Sequence, residues 1–160
     1  MSTSTEGTQR LDDSVAQSEL ETGLHLCRME EWDRGLEILA ALADTHEGLP
    51  GVFYSYLGYG MAFKENRIHE GRRLCRHAIK VEFYRAENYF NLARTELLVH
   101  NRRAAFRAVE KGLAVDSENQ RLLDLRRNMG QRRPPVLSFL SRSNPVNHFL
   151  GFVRHLFTQP

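Results

Sequence analysis

Residues 54–61 read YSYLGYGM, and this run decides the fold. Written as Tyr54-x-x-Leu57-Gly58-x-x-Met61, it recurs 35 residues on as Tyr89-x-x-Leu92-Ala93-x-x-Glu96. It recurs more faintly 35 residues earlier as Glu19-x-x-Thr22-Gly23-x-x-Leu26. A second pattern follows each copy: Gly35-x-x-x-Leu39, Gly71-x-x-x-Cys75 and Ala105-x-x-x-Val109. A fixed period of this size marks stacked supersecondary units, because each unit leaves an apolar face that only a neighbour can cover.

Each copy reads as a helix pair. The first helices are expected over 13–29, 51–64 and 86–99, and the second over 32–45, 67–81 and 102–115. Apolar residues recur at helical spacing within them, as in Leu36, Leu39 and Ala43 or Ala105, Val109 and Leu113. Small residues (Gly23, Gly58 and Ala93 in the first helices, Gly35, Gly71 and Ala105 in the second) sit where paired helices must approach closely. A glycine inside a helix costs about 1 kcal/mol relative to alanine, so close packing is the reason to expect it there. The segment Asp44 to Gly51, with Gly48 and Pro50, and the run Asp116-Ser117-Glu118-Asn119 carry turn chemistry.

With these residues in register, the chain resembles the tetratricopeptide-repeat (TPR) family, whose pattern is a large residue, Leu-Gly, an aromatic, then Ala-x-x-x-Phe. The second copy carries it best, through Tyr54, Leu57, Gly58, Met61, Gly71 and Cys75. The third keeps Asn91-Leu92-Ala93 and closes on GLAVDSEN. Glu96 and Arg102 depart from the pattern, standing where large apolar residues are expected, and no copy has the closing proline in place. The resemblance spans about residues 16–119. It implies an all-α solenoid of three helix-turn-helix repeats and, for function, protein–protein recognition without catalysis.

An open stack needs a solvating cap. Residues 119–130, NQRLLDLRRNMG, fit one: Leu122, Leu123 and Leu125 can face inward while Arg121, Asp124, Arg126 and Arg127 stay wet. The expected organisation is a disordered stretch over 1–12, a repeat domain with its capping helix over 13–130, and an extension over 131–160.

In the family, the first helix of each pair lines a concave groove. The resemblance places there Leu20, Leu24 and Cys27; then Val52, Ser55, Tyr59, Ala62 and Phe63; then Glu87, Phe90, Arg94, Leu97 and Leu98. The partner-binding residues expected are Tyr59, Phe63, Phe90, Arg94, Leu97 and Leu98, with Tyr59 and Arg94 as the exposed contacts. A surface this apolar suits an amphipathic helix or an extended apolar peptide. One subgroup of the family grips the C-terminal carboxylate of heat-shock chaperones with lysines and asparagines. Here only Asn91 matches, beside Leu24, Tyr59 and Phe90, so that clamp is not expected.

The extension begins QRRPPVLSFLSRSNP, where Pro134-Pro135 imposes an extended start. Asn144-Pro145 then reads as a helix cap and first turn, and Val146, Phe149, Leu150, Val153, Leu156 and Phe157 share one face. Such a face must be covered. Three covers are open to it: its own repeats, a partner or a second copy of the chain, and a membrane surface.

Composition bounds the rest. The 160 residues are 41% hydrophobic and 26% charged, enough for a core and unlike disordered or disulfide-scaffold chains. No apolar stretch approaches the roughly 20 residues that span a bilayer. The N-terminus lacks the basic flank and apolar core of a secretory signal. With only Cys27 and Cys75, both expected as small packing groups, a reduced cytoplasmic chain is the expectation. The net charge of +2 conceals an asymmetry: residues 1–80 carry 9 cations and 13 carboxylates, and residues 81–160 carry 13 and 7. Of the 22 Lys and Arg, all but Lys64, Lys80 and Lys111 are arginines.

Chemistry has no visible footing. No spacing pairs a nucleophile with a base, and His69, Cys75 and His77 lack the companions of a metal site, so no enzyme, cofactor or metal is expected. Gly58 and Gly60 lie inside a predicted helix, so they form no phosphate loop. The pairs Arg72-Arg73, Arg102-Arg103, Arg126-Arg127 and Arg132-Arg133 have the charge to meet phosphates, but no nucleic-acid motif surrounds them. The expected function is a protein or peptide adaptor. Its alternatives are a chaperone of the small three-repeat secretion type and a basic nucleic-acid or membrane-surface binder acting through the C-terminal half.

Overall fold

The computed structural model describes residues 3–130, with side chains from Ser14 onward. The expectations for 131–160 (the extended proline segment, the amphipathic helix and its covers) lie outside the described residues. The chain divides into two compact units, Met1–Arg127 and Asn128–Pro160, of which the first holds the repeats.

Seven helices run through the described residues: α1 Thr3–Arg28, α2 Trp32–Thr45, α3 Gly51–Lys64, α4 Ile68–Val81, α5 Ala86–Leu98, α6 Arg102–Val115 and α7 Gln120–Gly130. α1 packs on α2, α3 on α4 and α5 on α6, and the hairpins stack through α2 on α3, α3 on α5 and α4 on α5. The helix limits expected from periodicity hold to within a residue for α2 through α6. α1 begins at Thr3, upstream of the start near residue 13 expected from periodicity. Once packing nucleates α1 further along, adding a turn fixes one residue per hydrogen bond, and Glu6, Gln9 and Arg10 are good helix formers.

The close approach expected at the small residues is real. A Cβ on Gly58 would lie 2.6 Å from the Gly71 carbonyl oxygen, and one on Gly71 would strike the Gly58 carbonyl in turn. Neither oxygen belongs to a side chain that can swing away, so α3 and α4 touch backbone to backbone. The core gathers Leu20, Leu24 and Cys27 of α1, Trp32, Leu39 and Leu42 of α2, and Phe53, Tyr56 and Tyr59 of α3, with Cys75. Both cysteines are free and fully buried; burial pushes each thiol up to about 12, so they pack as neutral groups.

The turn inside each hairpin repeats its backbone. Glu30 (φ 64°), Asn66 (φ 56°) and His100 (φ 55°) are left-handed, one per repeat. After each, an amide donates back into the first helix: Glu31 to Leu26, Arg67 to Met61 and Asn101 to Glu96, at 2.9, 3.1 and 3.0 Å. Between the second and third repeats, the buried carboxylate of Glu82 accepts from the Val52 amide at 2.9 Å. It thereby satisfies an amide at the start of α3, where the Pro50 cap has no side-chain acceptor.

Glu96 explains its departure from the repeat pattern. It is 2% exposed and accepts from Arg72 at 2.8 Å, Arg76 at 3.3 Å and Asn101 at 3.1 Å. A buried charge persists only when paired and hydrogen-bonded, and two arginines one turn apart on α4 meet that need. Arg72 is thereby committed within the fold, as are Arg126 to Glu110 and Arg127 to Asp124. In α7, Leu122 is fully buried and Leu123 and Leu125 are half-buried, as a cap requires.

Candidate functional site

The residues expected in the groove meet on a face built by the last turns of α1 and α3, the first turn of α2, and α5 and α7. Its first feature is an aromatic shelf. Tyr59 lies edge-on to Trp32, centroids 5.0 Å apart, and stacks on Phe63 at 5.6 Å with planes 7° apart. Over the Tyr59 ring, at 4.0 Å, lies the guanidinium of Arg94, which also lies 5.5 Å from the rings of Trp32 and Phe90. Arg94 is held there by Glu30 at 3.2 Å, and Glu30 also accepts from the Trp32 indole at 2.7 Å. Burial pushes the Glu30 carboxyl up, but the Trp32 and Arg94 hydrogen bonds outweigh it and hold the group below the ordinary range. A left-handed turn residue thus positions the arginine at the centre of this aromatic cluster.

The second feature is a polar node. Arg28 grips Glu87 with two bonds, Nε to Oε1 and Nη2 to Oε2, both 3.0 Å. Tyr56 donates its hydroxyl to the same Oε1, and Arg121 reaches both Tyr56 Oη at 3.2 Å and Glu87 Oε1 at 3.4 Å. Burial alone would raise Glu87, yet Arg28 and Tyr56 hold it below the ordinary carboxylate range. Burial and the neighbouring Glu87 push the Tyr56 phenol up to about 12. Phe90 lies between Arg94 and Arg121, the latter 4.5 Å from its ring. Beside the node opens a cleft of about 510 Å³ whose walls include Tyr84, Glu87, Phe90, Val115 and Arg121.

The structure brings Tyr59, Phe63, Phe90 and Arg94 together. Leu97 and Leu98 are half-buried, and Leu98 packs on the core. Tyr59 corrects its expected role: it is 4% exposed, covered by Arg94, and supports the surface from beneath. Arg94 is only partly open, since Glu30 and three rings surround it. Leu20, Leu24, Cys27, Val52, Ser55 and Ala62 are likewise buried: Cys27 lies against Gly35 of α2 and Ala62 against Gly71 of α4, so these positions face the partner helix of the hairpin. Asn91, the one match to the chaperone-peptide clamp, is fully buried and donates to Ser55 Oγ at 3.0 Å.

Arg28, Glu30, Trp32, Tyr56 and Arg121 escaped the sequence reading. One had a signal: Arg28 stands 35 residues before Phe63, and Leu98 stands 35 after it, so repeat register puts Arg28 on the same line. The others meet only through tertiary contacts. Arg121 in particular was expected to stay in water, and instead turns to Glu87.

No protein-family model matches this sequence, and no curated protein sequence matches it. Among solved structures, the TPR domain of Arabidopsis OM64 superposes with a TM-score of 0.59 at 9% identity, over 72% of this chain and 94% of that one. The first TPR domain of Spaghetti (RPAP3), solved bound to the HSP90 peptide SRMEEVD, gives 0.58 at 14% identity, over 72% and 90%. The chain therefore has the tetratricopeptide-repeat fold: all-α, its helices packed pairwise. Among the described residues no helix is long and apolar enough to cross a membrane.

Proposed function

We propose that this protein is a non-catalytic adaptor that holds a segment of a partner protein against its concave face. The observation that carries the reading is Phe63. It is 47% exposed while its ring is stacked on buried Tyr59, so an open aromatic surface is held rigid before any partner arrives. A preorganised aromatic anchor costs little ordering entropy on binding, and such anchors dominate interface energetics. Phe90, Tyr84 and the cleft beside Arg121 extend the same face toward α7. The likeness in fold to a domain solved with a bound peptide supports a peptide ligand, whether in an adaptor or in a chaperone of the three-repeat type. Arg94, Leu97 and Leu98 would frame the segment and Tyr59 would brace it.

Phe63→Asp tests this. Affinity capture with mass spectrometry should show that the proteins retained by the wild type are lost by the variant. The thermal midpoint should fall only modestly, with an unchanged circular dichroism spectrum, because the lost stack on Tyr59 is worth about 0.5–1.5 kcal/mol. Undiminished capture of the same proteins would sink the reading.

A further inference from the structure

Helices α4 and α6, the second helices of their hairpins, carry a different chemistry from the concave groove. α4 has four cations against one carboxylate, and so has α6, whereas α2 has one cation against three carboxylates. Most of these cations are not spent inside the fold. Arg73, Lys80, Arg103, Arg107 and Lys111 are exposed, and among the described residues none makes an ion pair.

A cleft of about 320 Å³ opens among α4, α5 and α6. Its apolar wall comes from Ile79, Leu92, Ala104 and Ala108, while Arg76 lines it from α4 and Arg107 and Lys111 from α6. The one carboxylate in the lining, Glu96, is already matched by Arg72 and Arg76. We infer that this cleft is a second docking site, for an acidic peptide segment that buries an aliphatic side chain between α4 and α6 and sets its carboxylates against Arg107 and Lys111.

Charge complementarity selects the acidic partner, and the apolar walls demand more than charge. An RNA strand would need an open aromatic face for base stacking. Tyr89, the aromatic in the cleft, is 8% exposed and its hydroxyl is engaged by the Phe83 carbonyl. A bilayer surface is flat and would not reach a recessed aliphatic wall. The site shares no residue with the concave shelf, so it stands or falls independently of the groove.

The test uses the full chain and a fluorescent peptide of about 14 residues, roughly four helical turns, with leucine and glutamate at helical spacing. Polyglutamate of equal charge, oligouridine RNA and phosphatidylserine vesicles are the comparison probes. The leucine–glutamate peptide should bind at low ionic strength, more tightly than polyglutamate, and weaken toward ~0.15 M salt. Arg107→Glu with Lys111→Glu should weaken it by about tenfold or more, equivalent to ~1.4 kcal/mol. Arg107→Gln with Lys111→Gln should weaken it less, with an unchanged circular dichroism spectrum, and Phe63→Asp should leave it alone. Absence of peptide binding at low salt, equal binding by the charge-reversed chain, or tighter binding of RNA or vesicles would overturn the inference.

Discussion

At the residue scale, Glu30, Asn66 and His100 hold a backbone conformation that costs a side-chain-bearing residue roughly 1–2 kcal/mol. Asparagine tolerates it through its short polar side chain. Glu30 has a compensating task, since its carboxylate joins Trp32 to Arg94. His100 is exposed, and among the described residues no side-chain hydrogen bond or ion pair repays its strain. His100→Gly should therefore stabilise the protein by about 0.5–1 kcal/mol, the relieved strain less glycine's greater unfolded-state entropy. A urea titration would show a higher midpoint with an unchanged slope; a lower midpoint would contradict the account. Asn66→Gly should gain less, because less is relieved.

At the element scale, α5 is fixed by a buried charge where its sister helices use apolar side chains. Glu96 stands at the register position of Leu26 and Met61, and its carboxylate binds arginines across the hairpin boundary. Glu96→Gln keeps the shape and removes the charge, so it should cost about 1.5–3 kcal/mol in chemical denaturation. With Arg72→Met in a double-mutant cycle, the coupling should be positive; additivity would show the pair to be idle. Periodicity and turn residues made α2 to α6 legible from sequence because both are local properties. The same reading marked Glu96 as an irregularity without showing its partners, which lie twenty and twenty-four residues away on α4. The clustering of Phe63, Phe90 and Arg94 on one face was legible in outline. The depth of that face was not, because whether Tyr59 is a contact or a support depends on a guanidinium from another repeat.

At the scale of the whole molecule, acid should act through the concave face. Glu30 and Glu87 both have folded values below the ordinary one. Their stabilisation is therefore complete above about pH 4.3, the ordinary glutamate value, and is lost as pH falls below it toward the folded values. Thermal midpoints measured downward from pH 7 should fall below that point. Glu87→Gln should start lower and fall less steeply; an equally steep fall would remove Glu87 from the account.

The Glu87 node has a further consequence. A repeat protein is ordinarily a one-dimensional array in which each unit feels only its neighbours, so its ends fray first and its length can be trimmed. Here Arg28, Tyr56, Glu87 and Arg121 come from the first hairpin, the second, the third and the capping helix, and they share one carboxylate. That shared atom pair acts as a clasp across the array. Loosening either end removes a donor from the same acceptor, so the ends are thermodynamically linked to the middle and a partner resting on the clasp would sense the state of all three repeats at once.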